Sequence, residues 1–146
     1  MARTLILGAG FGGLSTATGV RDELGDEHEV VLVDRKPEFA MGLRKLWELV
    51  GHGTVAEGSR SRALLARHGV DFRQTEITAI DPSARSAETG EGRVEADHLV
   101  IALGAEARPD LVPGLTEYGH DVWAFEGVAR ATAAGMPEKL LAGTLA

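Results

Sequence analysis

Residues 3–34 constrain the fold more than any other part of the chain: an apolar run, three spaced glycines, a helical stretch, and a second apolar run that ends in an acid. The first run, Arg3-Thr-Leu-Ile-Leu7, opens directly into Gly8-x-Gly10-x-x-Gly13. The second, Glu29-Val-Val-Leu-Val-Asp34, places its carboxylate about 20 residues past the last glycine. The pattern predicts a strand over 3–8, a helix over about 11–24 and a strand over 29–34. Each glycine has a steric task. Gly8 permits a tight turn, Gly10 removes the Cβ that would block a pyrophosphate, and Gly13 lets the helix lie close on the strand. The helix then turns unpaired N–H groups and its positive dipole end toward the phosphates. Strand, glycines, helix and acid together form the dinucleotide-binding βαβ fingerprint.

The acid narrows the ligand. At the end of a strand, Asp34 can accept hydrogen bonds from both hydroxyls of an adenosine ribose, whereas a 2′-phosphate there would meet like charge. NADP is disfavoured, and FAD and NAD remain. An acid in this place can also cap a turn; its distance from the glycines favours the ribose.

Other classes are excluded by composition. With 15 basic and 22 acidic side chains the net charge is −7, so nucleic acid, whose phosphates demand a basic surface, is not an expected partner. The absence of cysteine removes disulfides, thiolate metal sites and a cysteine nucleophile. His28, His52, His68, His98 and His120 lack metal-ligand spacing and read as surface or packing residues. No apolar run is long enough to span a bilayer, and the first 20 residues do not form a signal peptide, which makes a cytoplasmic location the expectation. At 146 residues the chain is about one domain long.

Beyond Asp34, Pro37 bars an immediate helix. Residues 41–50 carry a helical apolar face at Leu43, Leu46, Trp47 and Val50, suited to packing against the domain or a missing partner domain, with a membrane-surface or quinone-facing role as the alternative. A second helix is predicted over 59–68, stopped by Gly69, followed by a strand at 70–73. Residues 76–96 alternate with turn signals at Asp81-Pro82-Ser83 and Gly90-Glu91-Gly92, the pattern of an antiparallel meander. His98–Gly104 then returns as an apolar strand fit for the interior of a parallel sheet.

The order of these segments carries a resemblance. The fingerprint is followed by Val-Asp-Arg-Lys-Pro-x-Phe39, then Gly69-Val-Asp-Phe with Ile77 and Ile80-Asp81, then Ala96-Asp-His-Leu-Val-Ile-Ala-Leu-Gly104-Ala-x-x-Arg-Pro109 and Pro113-Gly-Leu115. Residues 1–130 resemble the N-terminal FAD half of the pyridine nucleotide–disulfide oxidoreductase superfamily. Its cysteine-poor branch of sulfide:quinone oxidoreductases, flavocytochrome sulfide dehydrogenase flavoproteins and type II NADH dehydrogenases is the nearest. The resemblance implies an α/β, Rossmann-like FAD/NAD(P)-binding fold, a mostly parallel sheet with a small antiparallel meander as crossover. It assigns pyrophosphate contacts to Gly8, Gly10 and Gly13, with the N–H groups of Phe11 and Gly12, and the adenosine ribose to Asp34. Arg35 and Lys36 would border the adenine and its phosphate, the backbone of Ile77 would edge the adenine, and Ala102 and Gly104 would close over the cofactor. Leu103 stands where the family's Ala-Thr-Gly-Ala segment has threonine.

The departures matter as much. Residues 39–51 lack the Cys-x4-Cys pair of the disulfide reductases, so dithiol–flavin exchange and a cysteinyl–flavin link are excluded. No second GxGxxG follows. Residues 1–115 are expected to form the FAD-binding domain, and 116–146 a connection toward an absent nicotinamide-nucleotide domain, with the next strand beginning near Leu140–Ala146. The chain reads as the N-terminal piece of a larger flavin-dependent oxidoreductase, inactive alone, that passes electrons from sulfide or NAD(P)H to a quinone or cytochrome. Its expected partners are the missing C-terminal domains or a partner subunit, with peripheral membrane association in a full-length enzyme. No residue presents itself as catalytic. The alternatives are a stand-alone NAD-binding module, or an inert truncated subunit that persists as a homo-oligomer or bound to a partner.

Overall fold

The structure, a computed structural model, describes residues 1–136. In chain order its elements are β1 (Arg3–Leu7), α1 (Phe11–Leu24), β2 (Glu29–Asp34), β3 (Glu38–Ala40), α2 (Arg44–Leu49), β4 (Ser59–Ser61), β5 (Val70–Gln74), β6 (Ile77–Asp81), β7 (Ser86–Thr89), β8 (Gly92–Glu95), β9 (His98–Ile101), α3 (Leu115–Tyr118) and α4 (Phe125–Ala133). A 3-10 helix spans Arg62–His68. The chain divides into two compact units, Met1–Phe39 with Arg60–Ala105, and Ala40–Ser59 with Glu106–Ala146.

The first unit is built on a parallel sheet of order β5-β2-β1-β9. Its central strands are covered on both faces, which explains why they read as unbroken apolar runs. Alternate residues point to opposite faces. Leu5, Leu7, Val31 and Val33 pack with Ala87 and Val94 of the antiparallel β6-β7-β8 meander. Ile6, Val30, Leu32 and Val70 pack instead with Ala17, Leu14 and Val20 of α1, and with Leu65. Ser59–Ser61 and Glu38–Ala40 form a separate two-stranded sheet.

Among the described residues the second unit has a smaller core. Leu49 of α2 packs with Val128 and Ala131 of α4 and with Met136. Among the described residues no helix is long and apolar enough to cross a membrane.

Four expectations need correction. Strand β1 stops at Leu7, because Gly8 takes a positive φ of 97°. The helix expected over 59–68 begins only at Arg62 and is 3-10; Ser59–Ser61 is a strand, and the Ser61 hydroxyl caps the turn by accepting the Ala63 N–H. Gly69 does stop it, in the left-handed conformation. Strand β9 is half-exposed and pairs only with β1 among the described residues, so it is an edge strand there rather than an interior one. Finally, α2 is six residues long, with Leu43 and Val50 as its caps, too short to display the ten-residue apolar stripe. Leu49 is its buried residue, while Leu46 and Trp47 stay about half exposed, Trp47 lying under the Arg44 guanidinium. The expected strand near Leu140–Ala146 lies outside the described residues.

Candidate dinucleotide site

The parallel register brings distant segments to one end of the sheet. Leu7 is level with Val33 and with Ile101, and Asp34 with Gln74. The chain therefore leaves β1 at Gly8, β2 at Asp34, β5 just ahead of Ile77, and β9 at Ala102, all at the carboxyl edge. The Gly8 N–H donates to Val33 O at 2.8 Å and the Ala102 N–H to Leu7 O at 2.8 Å, fixing both exits. Strand order reverses at β1, with β2 and β5 on one side and β9 on the other, and ligands of open α/β sheets bind in the crevice at such a reversal.

The three fingerprint glycines answer to different constraints. A Cβ at Gly13 would stand 1.8 Å from Gly8 O, so helix and turn can meet only without a side chain. At Gly8 a Cβ would meet Ala102 O at 2.5 Å, besides the positive φ. Gly10 differs: its φ of −84° suits any residue, and nothing lies within 4 Å of where a Cβ would be. The fold does not require glycine there, and the space is open to a ligand. Gly10 is also the N-cap of α1 and offers no side chain to the first turn, which holds no acidic residue. The first intrahelical bond runs from Leu14 N–H to Gly10 O, so the N–H groups of Phe11, Gly12 and Gly13 precede the ladder. Phe11 and Gly12 are exposed, and backbone donors there, at the end of a 14-residue helix, suit a diphosphate.

Asp34 is held by backbone on both oxygens. Oδ2 accepts the Ala9 N–H at 2.8 Å and Oδ1 accepts the Lys36 N–H at 2.8 Å. Oδ2 keeps a further lone pair for a hydroxyl, while Oδ1 also faces a guanidinium N–H of Arg62 at 3.5 Å. Capping and ribose recognition, alternatives in the sequence, are thus compatible in one carboxylate.

Sequence reasoning missed Arg62. Its side chain is buried, 6% exposed, and donates to Ala9 O from Nε at 3.0 Å and from Nη2 at 2.7 Å. Nη1 donates to Lys36 O at 2.5 Å and lies 3.5 Å from Asp34 Oδ1. Burial pulls the guanidinium below its usual range, and the Asp34 charge opposes that shift. An arginine at the head of an otherwise apolar Ala63-Leu64-Leu65-Ala66 segment was the available signal, but nothing local says what it reaches.

Of the other expected residues, Phe11 is 60% exposed and meets Phe39 edge to face at 5.1 Å. Gly12 and Arg35 are exposed, and the Lys36 N–H belongs to the Asp34 turn. Ile77 heads β6, half-buried against the meander-side core. Ala102 has its methyl 3.7 Å from a Cβ built at Gly12, and Gly104 takes a φ of 82° with open space beside it. Two hollows of this unit, of about 360 and about 210 Å3, are lined by other residues than Gly8, Gly10 and Asp34. Among the described residues no cluster suits a metal ion, and His28 serves packing, bonded to the Thr4 hydroxyl at 2.8 Å.

Comparison with known proteins places the chain in a family and the fold among solved structures. The pyridine nucleotide-disulphide oxidoreductase family matches residues 2–142. The chain belongs to that family. It is 39% identical over 127 residues to demethylphylloquinone reductase NdbB of Synechocystis sp., covering 80% of this chain and 31% of that protein. It is 30% identical over 124 residues to a type II NADH:quinone oxidoreductase of Staphylococcus saprophyticus, covering 82% of this chain and 30% of the relative. The chain thus spans about a third of the length of these oxidoreductases. Its fold matches the sulfide:quinone oxidoreductase of Aquifex aeolicus with a TM-score of 0.82 at 24% identity, covering 97% of this chain and 32% of that one.

Proposed function

We propose that this chain is the FAD-binding part of a flavin-dependent oxidoreductase and that it grips the cofactor by its ADP half. The open position at Gly10, ahead of an uncapped helix N-terminus, carries the reading: the fold has no use for a glycine there, and a pyrophosphate does. In this reading Gly8, Gly10 and Gly13 meet the pyrophosphate, Gly8 and Gly13 by shaping the turn and Gly10 by leaving room for it; the N–H groups of Phe11 and Gly12 bond it, and Asp34 takes the ribose hydroxyls. Arg35 and Lys36 border the adenine and its phosphate, the Ile77 backbone edges the adenine, and Ala102 and Gly104 close over the cofactor. The bound flavin supplies the redox chemistry, accepting electrons from NAD(P)H or sulfide and passing them to a quinone or cytochrome. The names of the relatives support a quinone as acceptor. The chain's own residues bind and orient; none is assigned a proton-transfer role. Residues 1–115 carry the FAD contacts, and 116–146 lead on toward further domains.

Titrations test the reading, followed by flavin fluorescence for FAD and FMN and by calorimetry for NAD. FAD should bind, FMN should not because it lacks the adenosine half, and NAD should compete weakly. Binding of NAD with no binding of FAD would replace the proposal with a nicotinamide-nucleotide module.

A further inference from the structure

Three segments of the proposed site meet on one buried side chain. The Arg62 guanidinium grips Ala9 O, between the first two fingerprint glycines, with two N–H groups; a third N–H reaches Lys36 O, beside the Asp34 carboxylate. Ala9 closes the circuit, because its own N–H donates to Asp34 Oδ2. The Arg62 backbone N–H adds a bond to Pro37 O at 2.9 Å, which fixes the root of the side chain to the turn that follows Asp34. Glycine turn and acid belong to one βαβ unit, but the brace comes from a segment further along the chain, at the head of the Arg62–His68 helix.

We infer that Arg62 is the positioning residue of the dinucleotide site, locking the Ala9 peptide and the Asp34 carboxylate in register so that one ligand can meet the glycine turn and Asp34 together. The inference rests on the FAD reading above. Its physical basis is the fork. Two donors on one carbonyl fix the orientation of that peptide, and the third fixes the turn that holds Asp34 Oδ1. A lysine can supply charge here but not three donors in one plane. Arg62 need not touch the ligand, and being 6% exposed it has little surface to do so. What it controls is the direction in which the remaining lone pair of Asp34 Oδ2 points.

The test separates positioning from mere stabilisation through a single hydroxyl. ADP and 2′-deoxy-ADP are titrated calorimetrically into the native chain, Arg62→Met and Arg62→Lys, with circular dichroism on each. The native chain should prefer ADP by about tenfold or more, the size of one hydrogen bond to a charged group. In Arg62→Met that preference should fall below about threefold, and Arg62→Lys should not restore it. A native-like preference in a folded Arg62→Met of lowered melting temperature would overturn the inference, leaving Arg62 a stabiliser. Should Arg62→Met fail to fold, the ratio in Arg62→Lys decides: retained preference overturns, lost preference supports. Native binding of ADP without 2′-hydroxyl preference overturns the inference while sparing the dinucleotide reading. Native binding of neither ADP nor FAD removes both.

Discussion

Among the described residues, the two units of this chain bury apolar side chains to very different degrees. In the first, Leu5, Ile6, Leu7 and Leu32 are completely enclosed between α1 and the meander. In the second, Leu49, Val128 and Ala131 form a small cluster, while Leu43, Trp47, Leu111 and Trp123 are each more than half exposed. The contrast comes from element length and sheet cover. Strands buried on both faces create an interior from few residues, whereas α2, α3 and α4, of six, four and nine residues, are too short to stand without packing. The candidate site belongs to the first unit, beside its fully enclosed strands.

The comparison is broken most severely by Gly13→Ala. Its Cβ would stand 1.8 Å from the backbone oxygen of Gly8 and 2.9 Å from its carbonyl carbon, and a loss of about 3 kcal/mol or more is expected. Denaturant unfolding would read this as loss of the whole parallel sheet. Leu49→Ala should be milder and local. The second unit should lose about 2 kcal/mol of protection in hydrogen exchange, while amides of β1 and β2 stay slow. Loss of protection in β1 and β2 as well would show the units to be one cooperative body.

The smallest effect concerns acid. The Asp97 carboxylate accepts the Arg3 N–H at 2.7 Å, and this bond holds its pKa below the ordinary carboxylate value. A depressed pKa contributes stability that is full above the ordinary carboxylate range and is lost as pH falls through the depressed value. Asp97→Asn should therefore flatten the acid limb of a melting-temperature profile slightly, with no change at neutral pH in the slope against pH.

Much of this was legible because the code was local. Glycine spacing and apolar runs placed β1, α1, β2 and the meander nearly to the residue, and Asp34 with them. What the sequence hid was set by partners far along the chain. Arg62 looks like an ordinary helix-head arginine until the fold carries it to Ala9 and Asp34. The apolar stripe of residues 41–50 gave no sign that its helix would be six residues long and would bury Leu49 instead. The strand at 98–104 was apolar enough for an interior position, yet only the pairing pattern decides which strand is the edge.

The most direct test sets Gly10 against its neighbours in the fingerprint. Gly10→Ala, unlike Gly13→Ala, should fold with a stability within about 1 kcal/mol of the native chain, the scale of a changed N-cap. Its FAD affinity should nevertheless fall about tenfold or more, because the methyl fills the space the pyrophosphate needs. Native-like FAD affinity in Gly10→Ala would contradict the account, for the open position at the helix N-terminus would then not be where the dinucleotide lies.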